Sequence, residues 1–192
     1  MSMNNFIAQI EARRSIGKLT LPMPTPDELN VALHCATTAP DHKELKPYHF
    51  TVMTGEALER FGEVLLKAGL EKAERLGETL DDTARTKLIN MPKRAPMIIT
   101  VATDYKAHPK VPEFEQLLCV GAVIQNLLLA LESQGYHTVW RTGDLCNEPA
   151  VKAHFGVSDD NVVCGFIYVG SSDIVMPERE MVDLADFVKF DL

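Results

Sequence analysis

Two guanidinium groups and a hydroxyl stand side by side at Arg13-Arg14-Ser15, and a second cationic segment, Trp140-Arg141-Thr142-Gly143, follows far downstream. A guanidinium presents a planar fork of donors matched to phosphate and carboxylate oxygens, each charge-assisted hydrogen bond being worth about 1.5–3 kcal/mol net. In a chain of formal charge −8 the clusters ask either for a bound anion or for surface carboxylates to pair with, and spacing alone leaves both open. Trp140 offers a flat face to a planar ring, although a lone tryptophan at a strand end more often belongs to the core. His42, in the polar loop Ala39-Pro40-Asp41-His42-Lys43, can donate to a ligand, or it can be a turn histidine satisfied by Asp41 or by backbone.

Other chemistries find no residues to carry them. There is no G-x-x-x-x-G-K-[ST] and no G-x-G-x-x-G, so a phosphate has to be held by side chains. The histidines are scattered, no cysteine or carboxylate completes a metal set, and no G-x-S-x-G elbow is present. What remains is anion and ring binding without an acid/base dyad, the equipment of an enzyme whose cofactor does the reacting.

The elements that must position these residues are legible from patterning. Thr25-Pro26-Asp27-Glu28 is a capping box that opens a helix running to about Thr38, stopped by Ala39-Pro40. Strands are expected at Tyr48 to Met53, Met97 to Ala102, Tyr136 to Trp140 and Val162 to Val169, and helices at Glu56 to Leu76, Asp81 to Met91 and Asn147 to Phe155. The most apolar run, Gly121 to Leu131, is broken by Gln125 and Asn126; it is too short to span a bilayer and belongs to a core helix between Pro112 and Gly135.

The 192 residues suit one domain, and 46% hydrophobic with 24% charged residues is an ordinary globular composition. The acidic balance argues against nucleic acid as a partner. Four cysteines with no C-x-x-C pair are expected to be reduced thiols, and the N-terminus lacks the apolar core of a signal peptide, so a cytoplasmic location away from membranes is expected. From Gly170 to Leu192 many apolar residues occur without a long helix, which hints at burial against a second copy.

Taken together, Arg13-Arg14-Ser15, the loop Ala39 to Lys43 running into Pro47-Tyr48-His49-Phe50, the helix near Val111-Pro112 with Glu115-Gln116, and Trp140-Arg141-Thr142-Gly143 resemble the nitroreductase superfamily, and within it the small YdjA-like branch of NAD(P)H nitroreductases. The resemblance covers nearly the whole chain in order. It implies an α+β fold with a central, mostly antiparallel sheet flanked by helices, in an intertwined homodimer that binds FMN in two interface clefts. It implies that Arg13, Arg14 and Ser15 contact the flavin, that His42 reaches it from the other subunit, and that Trp140, Arg141 and Thr142 hold the phosphate end.

Thr142, where relatives carry serine, keeps a hydroxyl. Thr38 stands where an arginine of the branch contributes to the partner's flavin, and Tyr48 stands where a tryptophan is usual. The implied activity is a two-step hydride transfer, NAD(P)H to flavin and flavin to a nitro compound, quinone or similar small electron-poor acceptor, with no side chain as catalyst and no metal. Another flavin chemistry, or a non-catalytic sensor, is the alternative.

Overall fold

The computed structural model describes residues 3–191; Met1, Ser2 and Leu192, the ends of the expected 1–192 domain, lie outside the described residues. The helices are α1 (Met3–Ala12), α2 (Pro26–Ala36), α3 (Glu56–Leu76), α4 (Asp82–Asn90), α5 (Glu113–Ser133) and α6 (Pro149–Phe155). The strands are β1 (Tyr48–Thr54), β2 (Met97–Thr103), β3 (His137–Arg141) and β4 (Val163–Gly170), in the order β1-β2-β4-β3 with every pair antiparallel. The α+β architecture expected from the sequence is the one observed, a sheet with helices on both faces.

Strand β2 shows why the molecule has two cores. All seven of its residues are buried, and alternation sends Met97, Ile99 and Val101 towards α2 and α5 while Ile98 and Ala102 face α3 and α6. On the first side Val120, Val123, Ile124, Leu127 and Leu131 of α5 are fully buried. Each Ile or Leu sealed in this way contributes about 1.5–3 kcal/mol relative to exposure. Helix α5 is long and apolar enough to cross a membrane by length, but here its apolar face packs on α2 and the sheet.

The capping box of α2 also anchors β3. Thr25 N donates to Glu28 Oε2 (2.9 Å), and the same carboxylate oxygen accepts from the hydroxyl of Tyr136, one residue before β3 (2.9 Å). These bonds, led by the Thr25 hydroxyl, hold the Glu28 carboxyl below its ordinary value.

Helix α6 begins at Pro149 rather than Asn147. Asn147 is engaged elsewhere: its side chain accepts from Val163 N (2.8 Å) and donates to Val163 O (3.4 Å), acting as a strand neighbour to β4, while Pro149 supplies the preset φ of a first helical residue.

Residues 13–20 add a short edge to the sheet. Ser15 bridges Thr138 in parallel, with Ile16 N donating to Thr138 O (3.0 Å), and Thr20 bridges Ser171. Beyond Ser171 the chain is extended apart from a helical turn at Leu184–Asp186, and it exposes Val175, Met181, Phe187 and Phe190. Phe6, Ile7 and Ile10 of α1 and Phe114, Leu117 and Leu118 of α5 are exposed as well.

Candidate functional site

The end of β3 is shaped by an irregularity in β4. Val101 pairs with Gly165 but Ala102 with Val163, so Cys164 is an extra residue, a bulge that bends the strand and frees the Cys164 carbonyl. Trp140 Nε1 donates to that carbonyl (3.0 Å). Gly165 has φ +142°, and a Cβ there would stand 2.8 Å from Arg141 O and overlap Trp140 Nε1, so only glycine lets the indole lie across the bulge. The indole remains 39% exposed at the rim of a cleft instead of entering the core.

That cleft, of about 510 Å³, lies between β3, the start of the β3–α6 loop, α4 and the turn before β2, and Trp140, Arg141, Thr142, Lys87, Arg94 and Tyr168 line it. The Arg141 guanidinium stacks over the Tyr168 ring, 5.4 Å from its centroid, while its Nε is buried without a partner. The Tyr168 hydroxyl is likewise buried and unpartnered; burial pushes it up to about 12 against the pull of Arg141 and Arg94, so it is a neutral donor. Among the described residues, Lys87, Arg94 and Arg141 take part in no ion pair. Three cations outside any ion pair and two orphaned donors, with Asp144 of the lining paired to Lys72 (3.3 Å), equip the cleft chemically to hold an anion, with the indole face beside it for a ring.

Arg13, Arg14 and Ser15 are close to this cleft but do not line it. Arg141 Nη2 lies 3.0 Å from where a Cβ on Gly17 would be, which puts Ser15, paired with Thr138 three residues earlier on β3, about 10 Å along the strand. Among the described residues neither arginine is paired with a carboxylate by hydrogen bond. Instead Arg14 Nη1 donates to Pro177 O and Arg179 Nη2 donates to Arg13 O (both 2.8 Å), so the C-terminal segment straps this edge. Arg13 acts at longer range on Glu132, whose carboxyl burial pushes up while His137 (3.6 Å away) and Arg13 draw it back.

Thr38 and His42 line two further, separate pockets. The Thr38 hydroxyl is spent on Cys35 O (2.8 Å), and the residue lines a pocket with Phe6, Gln9, Cys35 and Asn126. His42 is not satisfied by Asp41, whose carboxylate takes the Lys46 amide (2.6 Å); its Nδ1 lies 2.8 Å from Glu115 Oε2 on the first turn of α5. Lys43, Glu44 and Lys46 all hold positive φ (69°, 52° and 51°), a loop conformation that costs non-glycine residues about 1–3 kcal/mol each.

Lys87, Arg94 and Tyr168 carry no local sequence signal for a place in this cleft. Lys87 sits in a polar helix that reads as a solvated face, and Arg94 in a proline-bracketed connection, and neither carries a spacing that links it to Arg141. Among the described residues no group of three His, Cys, Asp or Glu is placed to hold a metal, and the four cysteines are free.

The nitroreductase family model matches residues 10–171. The protein of Escherichia coli (strain K12) named "Putative NAD(P)H nitroreductase YdjA" is 36% identical over 162 residues, 84% of this chain and 85% of its own. A Haemophilus influenzae protein named "Putative NAD(P)H nitroreductase" is 36% identical over 186 residues, 94% and 96% of the two chains. Among solved structures, a nitroreductase-like family protein from Bacillus cereus superposes with a TM-score of 0.82 at 20% identity, covering 99% of this chain and 97% of its own. The FMN-dependent nitroreductase NfnB from Mycobacterium smegmatis, in complex with NADPH, superposes with a TM-score of 0.75 at 17% identity over 100% of both chains. With the sheet, the two flanking layers and the match over most of its length, the chain belongs to the nitroreductase family.

Proposed function

We propose that this single-domain chain is an oxidoreductase that binds FMN, takes reducing equivalents from NADH or NADPH and reduces nitro compounds, quinones or similar electron-poor molecules. The observation that carries it is the Trp140 cleft, where Arg141, Arg94 and Lys87 are unpaired and the Tyr168 hydroxyl and Arg141 Nε are orphaned beside an exposed indole. Those groups suit a planar ring bearing a phosphate. The relatives' names supply the cofactor and the reductant.

When bound, FMN supplies the hydride relay between nicotinamide and acceptor, which no side chain here can perform. Arg141 and the Thr142 hydroxyl would bind phosphate oxygens, and Trp140 would cover an aromatic face. Arg94 and Lys87, with Arg13 and Arg14 along the sheet edge, would balance negative charge on the ring and exclude cationic molecules. Ser15 would add a donor at that edge.

The working unit is a homodimer in the cytoplasm. Thr38 and His42 lie on the α2–α5 face and the Trp140 cleft lies beside α4, so in one chain they do not meet, and a second copy can bring them together. The exposed apolar groups of α1, α5 and the tail after Gly170 give that copy a surface to cover.

Thr38 favours a second role, flavin binding without turnover, because its hydroxyl is already committed to Cys35 O and brings no cation to the site. Steady-state oxidation of NADH and NADPH in the presence of quinones and nitroaromatics separates the two. Turnover with either acceptor class is expected, and a bound flavin that neither nicotinamide reduces would leave only the binding role.

A further inference from the structure

Helix α3 answers two carboxylates of the loop between β3 and α6 with two cations on one face. Arg75 donates to Glu148 (2.9 Å), and Lys72, three residues earlier in the helix, lies 3.3 Å from Asp144. The two pairs differ in setting. Glu148 is buried, so Arg75 offsets its desolvation, whereas the Asp144 side chain is 88% exposed and an ion pair there adds little to stability.

Asp144 lines the Trp140 cleft together with Lys87, Arg94 and Arg141, and Lys72 lies outside that lining. A carboxylate that shares a cavity with three cations is expected to pair with one of them. Among the described residues Asp144 pairs with none of the three, and its ion pair runs out of the cleft to Lys72. The turn that carries Asp144 is pinned on both sides: Cys146 N donates to Gly143 O (3.0 Å) across it, and Arg75 holds Glu148 at the far end of the loop. The carboxylate is therefore the part of this loop that an outside cation has to hold.

We propose that Lys72 is a positioning residue for the anion site, holding the Asp144 carboxylate away from Lys87, Arg94 and Arg141 so that an incoming phosphate, and not the protein's own acid, answers those cations. The proposal rests on the flavin reading of the cleft given above. Without Lys72, Asp144 competes for the same cations, and its charge, no longer balanced, repels the phosphate. Lys72 acts through Asp144 alone, so removing both charges restores the site.

The test measures the affinity of cofactor-free protein for FMN and for riboflavin, which lacks the phosphate, in Lys72→Met, Asp144→Asn and the double variant. Methionine keeps an unbranched stem and a high helix propensity at a position whose side chain is 25% exposed, so the variant should fold. Lys72→Met should weaken FMN binding by roughly 5-fold, the weight of one unit charge against another about 4 Å away near water, and leave riboflavin unchanged. Asp144→Asn should bind FMN at least as tightly as wild type, and the double variant should return to within about 2-fold of it.

Equal losses for FMN and riboflavin in Lys72→Met would mean that the pair merely shapes the loop. Unchanged FMN affinity in Lys72→Met, or a double variant as weak as the single one, would equally overturn the proposal. A wild-type protein that binds neither flavin would remove the flavin reading, and inorganic phosphate then decides. Melting temperature in phosphate against chloride at matched ionic strength should rise for wild type and the double variant and rise less for Lys72→Met, and an equal rise, or none, in all three would refute the role of Lys72.

Discussion

Gly165→Ala concentrates the strain of the site in a single methyl group. At φ +142° a residue with a Cβ is forced into a backbone region that costs about 1–3 kcal/mol, and the new carbon would stand 2.8 Å from Arg141 O while overlapping Trp140 Nε1. The indole must move, losing its bond to Cys164 O, worth about 1 kcal/mol. Together these give a destabilisation of about 3 kcal/mol, or roughly 6–12 °C in Tm for a chain of this size. Because Trp140 is the chain's one tryptophan, intrinsic fluorescence reads the same event, and the emission of the folded variant should shift. A variant that melts within about 2 °C of wild type with unchanged emission would refute the claim that Gly165 is required by the seating of Trp140.

Arg141→Ala should weaken FMN binding by roughly 10- to 150-fold, the worth of one charge-assisted bond of about 1.5–3 kcal/mol, measured by equilibrium dialysis of the released flavin; full occupancy at wild-type affinity would remove Arg141 from the site. Arg75 donates twice to Glu148 (3.0 and 2.9 Å), whose side chain is only 9% exposed, so Arg75→Met should leave a buried carboxylate unanswered and lower the urea midpoint by the equivalent of about 2 kcal/mol. The Glu28 carboxyl is held below its ordinary 4.5, so its contribution is full above that pH and is lost as pH falls through the lower folded value. Glu28→Gln should therefore flatten the stability profile between about pH 5 and 3, and an unchanged profile in urea titrations would show that the capping box has no acid dependence.

The elements whose signals are local were legible in the sequence. Thr25 to Glu28 announces α2 because its two hydrogen bonds join residues three apart, and Met97 to Ala102 announces a central strand because burial on both faces admits only apolar or small side chains. The arginine pair and Trp140-Arg141-Thr142 stood out by residue type, which left open whether an anion or a carboxylate answers them, and only Trp140-Arg141-Thr142 lines the cleft. What stayed hidden depends on tertiary contact. Lys87 and Arg94 join Arg141 only because α4 and its following turn fold over the end of β3, and Glu115 meets His42 across 73 residues. The Cys164 bulge that seats the indole is likewise invisible in Val162 to Val169, which reads as an unbroken core strand.

Whether the cationic cleft beside Trp140 holds a flavin is read from the visible spectrum of the purified protein. A yellow protein that releases FMN on denaturation, bleaches with NADH or NADPH and recovers its colour with a quinone is the predicted result. A colourless protein that neither binds added FMN nor quenches its Trp140 fluorescence in response would contradict it.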